Sequence, residues 1–396
     1  MAESTQRQGL QGQCIVSLAL EDWHSTWRSR QHLLSRLARD NDVLYCTSPV
    51  FTHEVRERWV HRAELTPTVE EIAPRLVAYR PPYWLPQLYR AGALRKTMRG
   101  LLLGHLQLIL RARGWKPTLL YIWHPSFVDW IDSLPGCALV YHCYDEYGSF
   151  EADDTARRTI WDAECRLLDQ ARVAFTASET LKQRRQARNP NIYVIPNGVD
   201  YDLFARAADP TLPMPADAAA IAGPLVGFVT TLTTITDLPL LHSVFSQRAD
   251  WTFMFIGLEL AVAPTEGSDL GRLLALPNVR IIGRRKLQEI PGYLKRCDVL
   301  AIPWLINEIS LSGSPLKLYE YLASGKPVVS TPLSHLQHLN PVIAFAPDAR
   351  AWIDAIEQAL AGQGPGSGAA RQEIARQNTW DAKADLLAGH LQAALR

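Results

Sequence analysis

Residues 298–332, DVLAIPWLINEISLSGSPLKLYEYLASGKPVVSTP, admit few folds. The apolar run 299–303 is short and of the kind buried on both faces of a parallel sheet. Ser314 suits a helix N-cap, and Pro315 suits the first helical position, where its missing N–H costs nothing. The helix runs on through 316–323 until Gly325 stops it, ahead of Pro327 and a second apolar strand. A helix that opens at the carboxyl end of a parallel strand aims backbone N–H groups and a positive dipole end into a crevice. Lys317 falls in the first turn, so the spacing predicts an anion site, most naturally for a diphosphate. Glu320, one turn on, is placed to accept hydrogen bonds from vicinal hydroxyls such as those of a ribose.

The same alternation of short apolar runs with amphipathic segments covers the chain. Strands are expected at 14–20, 43–47, 119–123, 138–142, 173–176 and 193–195, and again at 225–229, 252–256, 279–282, 299–302 and 328–330. Such alternation predicts parallel strands with crossover helices. With 396 residues the chain is too long for one ordinary core and suits two domains. The best linker is the proline- and alanine-rich 206–222, between 1–205 and 223–375, with a terminal helix at 376–396.

At SPLKLYEYLASGKPVV the chain resembles the donor-binding signature of bacterial nucleotide-sugar glycosyltransferases of the GT-B fold, the large group of families 1 and 4. IPNGVD at 195–200, PNVRIIGRRKLQEIPGYLKRCDVLAIPW at 277–304 and QNTWDAKADLL at 377–387 agree with it. WRSRQHLLSRLA at 27–38 and YHCYDEYGSF at 141–150 resemble a subgroup found in polysaccharide gene clusters. The resemblance implies an α/β protein of two Rossmann-like domains whose parallel sheets face a cleft, the first binding acceptor and the second donor. It also implies that the last helix crosses back onto the N-terminal domain.

Sugar transfer needs a base for the acceptor hydroxyl, stabilisation of the leaving diphosphate, and anchorage of base and ribose. The leaving group is assigned to Lys317, the N–H groups after Ser314, and Arg284 at the end of the 279–282 strand; Arg285 is an equivalent choice from spacing alone. Thr230 and Thr231, at the end of the second domain's first strand, are candidates for phosphate contact or plain strand-end capping. Lys317 and Glu320 are three apart and could instead simply pair. Retaining members of the family carry two glutamates eight positions apart. Glu320 matches the second, but Ser312 stands at the first, and the nearest upstream acid is Glu308. That departure directs the catalytic burden to a base in the first domain and to inversion. Asp145, in the loop after the 138–142 strand, is the candidate, against the plainer reading of a turn residue. His124 and His32 are the alternatives.

No cofactor and no metal are expected. Asp40-Asn41-Asp42 precedes the 43–47 strand, at the wrong edge of the sheet for a ligand, and reads as a turn. Six scattered cysteines without a CxxC pair suit a reducing compartment. With no apolar signal core in the first dozen residues, a cytoplasmic location is expected. Between Glu71 and Asp129 there is no acidic residue, while nine lysines and arginines fall among aromatics and leucines. Residues 75–116 therefore read either as a peripheral contact with anionic lipid or an acidic acceptor, or as a solvated helix face. Nucleic acid is not expected, since no binding module accompanies the charge.

The function expected is transfer of a sugar, from a UDP-sugar by preference, to a saccharide or lipid-linked acceptor. The alternatives are a sugar-nucleotide epimerase of the same fold and a noncatalytic sugar-nucleotide binding protein. A dinucleotide dehydrogenase is disfavoured by the lack of GxGxxG after the first strand of either domain.

Overall fold

The computed structural model describes residues 9–48, 66–82, 85, 92–151, 153–229, 232, 235–258, 264–265 and 267–396. The chain divides into two units, Met1–Pro196 with Lys383–Arg396, and Asn197–Ala382.

The first unit is built on an eight-stranded sheet of order β3-β4-β2-β1-β5-β6-β7-β8. The strands are β1 Cys14–Ala19, β2 Asp42–Thr47, β3 Thr68–Ala73, β4 Leu76–Arg80, β5 Leu119–Ile122, β6 Ala138–Cys143, β7 Val173–Thr176 and β8 Ile192–Val194. All neighbours are parallel except β3 against β4. The central strands are continuous apolar runs because both faces are covered: every residue of β1 and β5 is buried. β3 and β4 were not expected from the pattern. β3, TVEEIA, is a largely exposed edge strand with a register shift between Glu71 and Ala73. Its charge is what an edge needs and what hides it from a search for apolar runs. Residues 383–396 close one face of this sheet: Leu387 and Leu391 are fully buried, and the His390 ring stacks on Tyr193 at 3.7 Å.

The second unit carries six parallel strands in the order β11-β10-β9-β12-β13-β14: β9 Leu225–Val229, β10 Thr252–Ile256, β11 Val279–Ile282, β12 Val299–Ile302, β13 Val328–Ser330 and β14 Ala344–Phe345. The chain winds outward from β9 to β11, then returns to the other side of β9 for β12. The strand order therefore reverses between β9 and β12, where open α/β sheets leave a crevice at the carboxyl ends. These two strands register only at Val299↔Val226 and Leu300↔Gly227, and beyond that they part.

The unit boundary at Pro196–Asn197 lies ahead of the stretch read as a linker, and 206–222 belongs to the second unit. Its prolines do not leave it loose. The Lys295 ammonium donates to the carbonyls of Asp209, Pro210 and Leu212 at 2.7–2.9 Å, and Ala207 and Ala218 are buried in the unit's core. The IPNGVD and QNTW motifs meet here. Val199 and Thr379 form a bridge, the Val199 N–H donates to the Asn378 carbonyl, and the Trp380 N–H donates to the Val199 carbonyl. A Cβ on Gly198 would lie 2.9 Å from the Trp380 nitrogen, so this crossing demands glycine.

Candidate functional site

In the second unit the helix Leu316–Ala323 is locked onto the open end of β9. The Val229 N–H, at the point where β9 has lost β12 as a partner, donates to the buried Tyr321 hydroxyl at 2.7 Å. The helix is thereby fixed at the reversal point. Its N-cap is Pro315 (φ −63°, ψ 113°), with no side-chain cap. That corrects the expectation for Ser314, whose hydroxyl accepts from the Asn197 N–H (3.2 Å), while its carbonyl accepts from the Asn197 amide (2.6 Å). Pro315 is extended and the helix begins one residue later, so Ser314 ties down the IPNGVD turn instead. The Leu318 N–H already donates to the Pro315 carbonyl, while no described backbone group accepts from those of Leu316 and Lys317.

Lys317 and Glu320 do pair, with Nζ 3.1 Å from Oε2. The contact is ionic without hydrogen-bond alignment, which leaves Oε2 a buried acceptor lacking a directed donor. Burial pushes the Glu320 carboxyl up from the usual range, against the opposing pull of Lys317. A pair of this spacing on a helix is worth only about 0.2–0.5 kcal/mol in isolation, so a ligand can divert either partner cheaply. Ser312 is fully buried at the end of the short helix Glu308–Ser312, and Glu308 is exposed at its start.

Of the two arginines after β11, Arg285 is occupied: Nε donates to Tyr293 Oη (2.7 Å) and Nη2 to Asp217 Oδ2 (3.0 Å). Arg284 is exposed, with no side-chain partner among the described residues. It stands on the same carboxyl rim as Lys317, but β11 lies three strands from β12, about 14 Å at ordinary strand spacing. Thr230 and Thr231 lie outside the described residues. Asp40-Asn41-Asp42 is a turn: the buried Asn41 amide donates to the carbonyls of Leu10 and Leu37, and Asp42 pairs with Arg75. Among the described residues no cluster of three or more His, Cys, Asp or Glu could hold a metal ion.

In the first unit the loops after β1, β5 and β6 leave neighbouring strands at their carboxyl ends and gather around Asp145. Asp145 is half-buried, and no described side chain or backbone group hydrogen-bonds its carboxylate. Burial pushes it up to about 6, with Glu21 and Glu146 adding to the rise and Arg28 and Arg30 opposing it. His124 is close by but poorly suited to take a proton. Its Nδ1 already accepts from the Ser126 N–H at 3.2 Å, and burial beside Arg30 lowers it to about 3. That tautomer carries its proton on Nε2, so His124 can donate but not accept there. His32 shares the helix Ser29–Leu37 with Arg30 but is two positions on, about 200° round the axis, and packs edge-on against Trp27. It is not part of the Asp145 group.

Two residues of this site escape a reading of the sequence. Arg30 is fully buried with Nη2 2.7 Å from Glu21 Oε1, and its charge faces the Tyr144 ring. Behind the loop, Arg185 is also fully buried, between Glu164 and Glu146. Removing one partner of such a buried group costs roughly 3–5 kcal/mol. The only sequence signal was the placement of Arg30 inside WRSRQHLL and of Glu146 inside YDEYGSF.

With this geometry in view, comparison with known proteins settles the class. The model of the family "Glycosyl transferases group 1" matches residues 224–362, the segment that holds β9, Lys317 and Glu320. Residues 224–362 are a group 1 glycosyltransferase domain. The whole chain is similar in fold to a sucrose-phosphate synthase of Thermosynechococcus elongatus (TM-score 0.68, 17% identity, 97% of this chain and 99% of that one). It is likewise similar to Anabaena Alr3699/HepE in complex with UDP (TM-score 0.66, 15% identity, 96% and 100%). The fold is GT-B. A Bacillus subtilis (strain 168) protein named as a teichuronic acid biosynthesis glycosyltransferase, TuaH, is 30% identical over 181 residues, 45% of this chain. That match spans 44% of the relative's own length. The glycosyltransferase domain thus places Tyr321, Lys317 and Glu320 on one helix at its reversal point.

Proposed function

We propose that the chain moves a sugar from a UDP-sugar to a saccharide or lipid-linked acceptor in polysaccharide or glycoconjugate synthesis, with inversion and without a metal. The observation that carries this reading is the helix Leu316–Ala323, pinned by Tyr321 to β9 where that strand parts from β12, with a cation in its first turn. Its unshared N–H groups and Lys317 hold the diphosphate, with Arg284 available from the rim, and Glu320 takes the ribose hydroxyls. UDP as the nucleotide is supported by Alr3699/HepE, a protein of like fold in complex with UDP and with UDP-glucose. Asp145 takes the acceptor proton, a reading favoured by a carboxylate that no described residue hydrogen-bonds and by the buried Ser312 where a retaining enzyme of the family has glutamate.

Thermal shift against a panel of nucleoside diphosphates tests the donor assignment: UDP is expected to raise Tm most, with no change on adding a chelator. Transfer abolished by chelation and restored by manganese would overturn the metal-free mechanism. An epimerase would interconvert UDP-sugars without an acceptor, and a binding protein would leave them unchanged.

The same reading puts the enzyme on the cytoplasmic membrane surface. On the helix Gly92–Ala112, Leu102, Leu106 and Leu110 are buried, while Leu101 and Leu108 on the far side are 46% and 63% exposed. Lys96 and Arg111 are exposed on the same helix, and no described helix is long and apolar enough to cross a bilayer. Paired apolar and cationic groups of this kind lie at the headgroup boundary of anionic lipid. Co-sedimentation with anionic but not neutral vesicles is expected, and Leu101→Glu with Leu108→Glu should abolish it. Equal recovery of that variant with vesicles would rule the surface out.

A further inference from the structure

We propose that Arg185 is a positioning residue for the base: it holds Glu146 behind the loop that follows β6, so that Asp145 alone of the two adjacent carboxylates is presented to the acceptor. The inference rests on Asp145 serving as base and goes beyond it by naming what selects Asp145 over its neighbour.

Arg185 ends the helix Glu179–Arg185, which follows β7, and none of its side chain reaches solvent. Its guanidinium faces two carboxylates at once. Nε and Nη2 donate to Glu164 Oε1 and Oε2 at 2.7 and 3.0 Å, while Nη2 and Nη1 donate to Glu146 Oε1 and Oε2 at 2.9 and 3.2 Å. Arg184 adds a contact to Glu146 Oε2 at 2.9 Å, and the buried Tyr141 hydroxyl donates to Glu164 Oε1. Two arginines balance two glutamates, so the network adds little net charge beside Asp145. Although burial alone would raise it, the arginine donors hold the Glu146 carboxyl below its ordinary value. Glu146 is therefore ionised, neutralised and pinned, whereas the Asp145 carboxylate has no hydrogen-bond partner among the described residues.

An arrangement of this kind is an uneconomical way to stabilise a fold, because well-packed apolar side chains of similar volume often serve as well. What apolar side chains would not supply is a choice between two neighbouring carboxylates. The other charged or titratable groups facing Asp145 are Glu21, from the loop after β1, Arg28 and Arg30, from the helix Ser29–Leu37 and its cap, Tyr144, Tyr147, and Cys143, whose thiol donates to the Asp145 carbonyl. None of these is bonded by Arg185. Loosening Arg185 thus acts on Asp145 chiefly through Glu146, the carboxylate that Arg185 bonds and that also faces Asp145.

Initial rates across pH for Arg185→Lys, Arg185→Lys/Glu146→Gln and Arg184→Ala test this. Lysine keeps the charge but loses the two-carboxylate fork, leaving Glu146 partly uncompensated. Arg185→Lys is expected to lower kcat roughly 10-fold or more with donor KM little changed, and to move the acid limb of the rate profile to higher pH. Adding Glu146→Gln removes the stray charge and should bring the limb back. Arg184→Ala, on the exposed side, should shift the limb the same way by less, and serves if the lysine variant does not fold. A lower Tm with an unmoved limb, or a shift that Glu146→Gln leaves in place, would overturn the proposal. Near-normal turnover of Asp145→Asn would instead overturn the base assignment itself.

Discussion

Asp145→Asn is expected to lower turnover roughly 10²–10⁴-fold while leaving donor affinity almost unchanged. Asparagine keeps the shape and one oxygen but cannot take a proton, and the donor-binding groups lie in the other unit. The wild-type rate should fall about tenfold per unit as pH drops below about 6, because the carboxyl that must accept the proton is held near there by burial. The sign for stability is the reverse of that for a salt-bridged aspartate. A carboxyl whose folded value is raised contributes stability below its unfolded value and loses that contribution as pH rises through about 6. At pH 8 the Asn variant should therefore be at least as stable as the parent, which separates lost chemistry from lost folding. A product that retains the donor's anomeric configuration would also exclude the base role.

Lys317→Ala and Glu320→Ala should each weaken UDP binding by about 10–100-fold, the range of a hydrogen bond to a charged group. They should do so for different parts of the ligand, which calorimetry can separate. Loss of the Lys317 ammonium should leave uridine binding as it was, since only the diphosphate is affected. Loss of Glu320 should bring UDP down to the affinity of its 2′-deoxy analogue, which the parent should bind poorly. Equal losses for UDP and uridine in the Lys317 variant would mean that the helix mouth is not the diphosphate site. Undiminished discrimination by the Glu320 variant would mean that the ribose is held elsewhere.

The strands of both sheets were legible wherever two covered faces forced a continuous apolar run, as at 14–20 and 225–229. They were not where an edge needed charge, as in TVEEIA at β3, or where a strand shrank to two residues, as at β14. In the second unit, the placing of Lys317 and Glu320 one turn apart on a single helix was readable from spacing. The capping role of Ser314 was not, because Asn197, 117 positions away in sequence, claims its hydroxyl. The choice between Arg284 and Arg285 also needed a tertiary fact, the engagement of Arg285 by Tyr293 and Asp217. On the acceptor side the loop carrying Asp145 could be located. The buried cations around it could not, since an arginine in sequence looks like surface until its carboxylates are found.

The helix Trp380–Leu395 starts among residues of one unit and finishes among those of the other, so the first unit is not one continuous stretch of chain. On the ribosome, residues 1–196 emerge early, yet the sheet face that Leu387 and Leu391 cover stays open until 383–396 have been made. The middle unit, uninterrupted in sequence, can complete itself first. The N-terminal portion must then wait, with the rings of Tyr193 and Phe175 uncovered, for a segment made only after the whole second unit. Proteins usually close their domains in the order of synthesis, and here the order is inverted. A nascent chain stalled before residue 383 should therefore bring out a protected second half behind a first half still open to proteases.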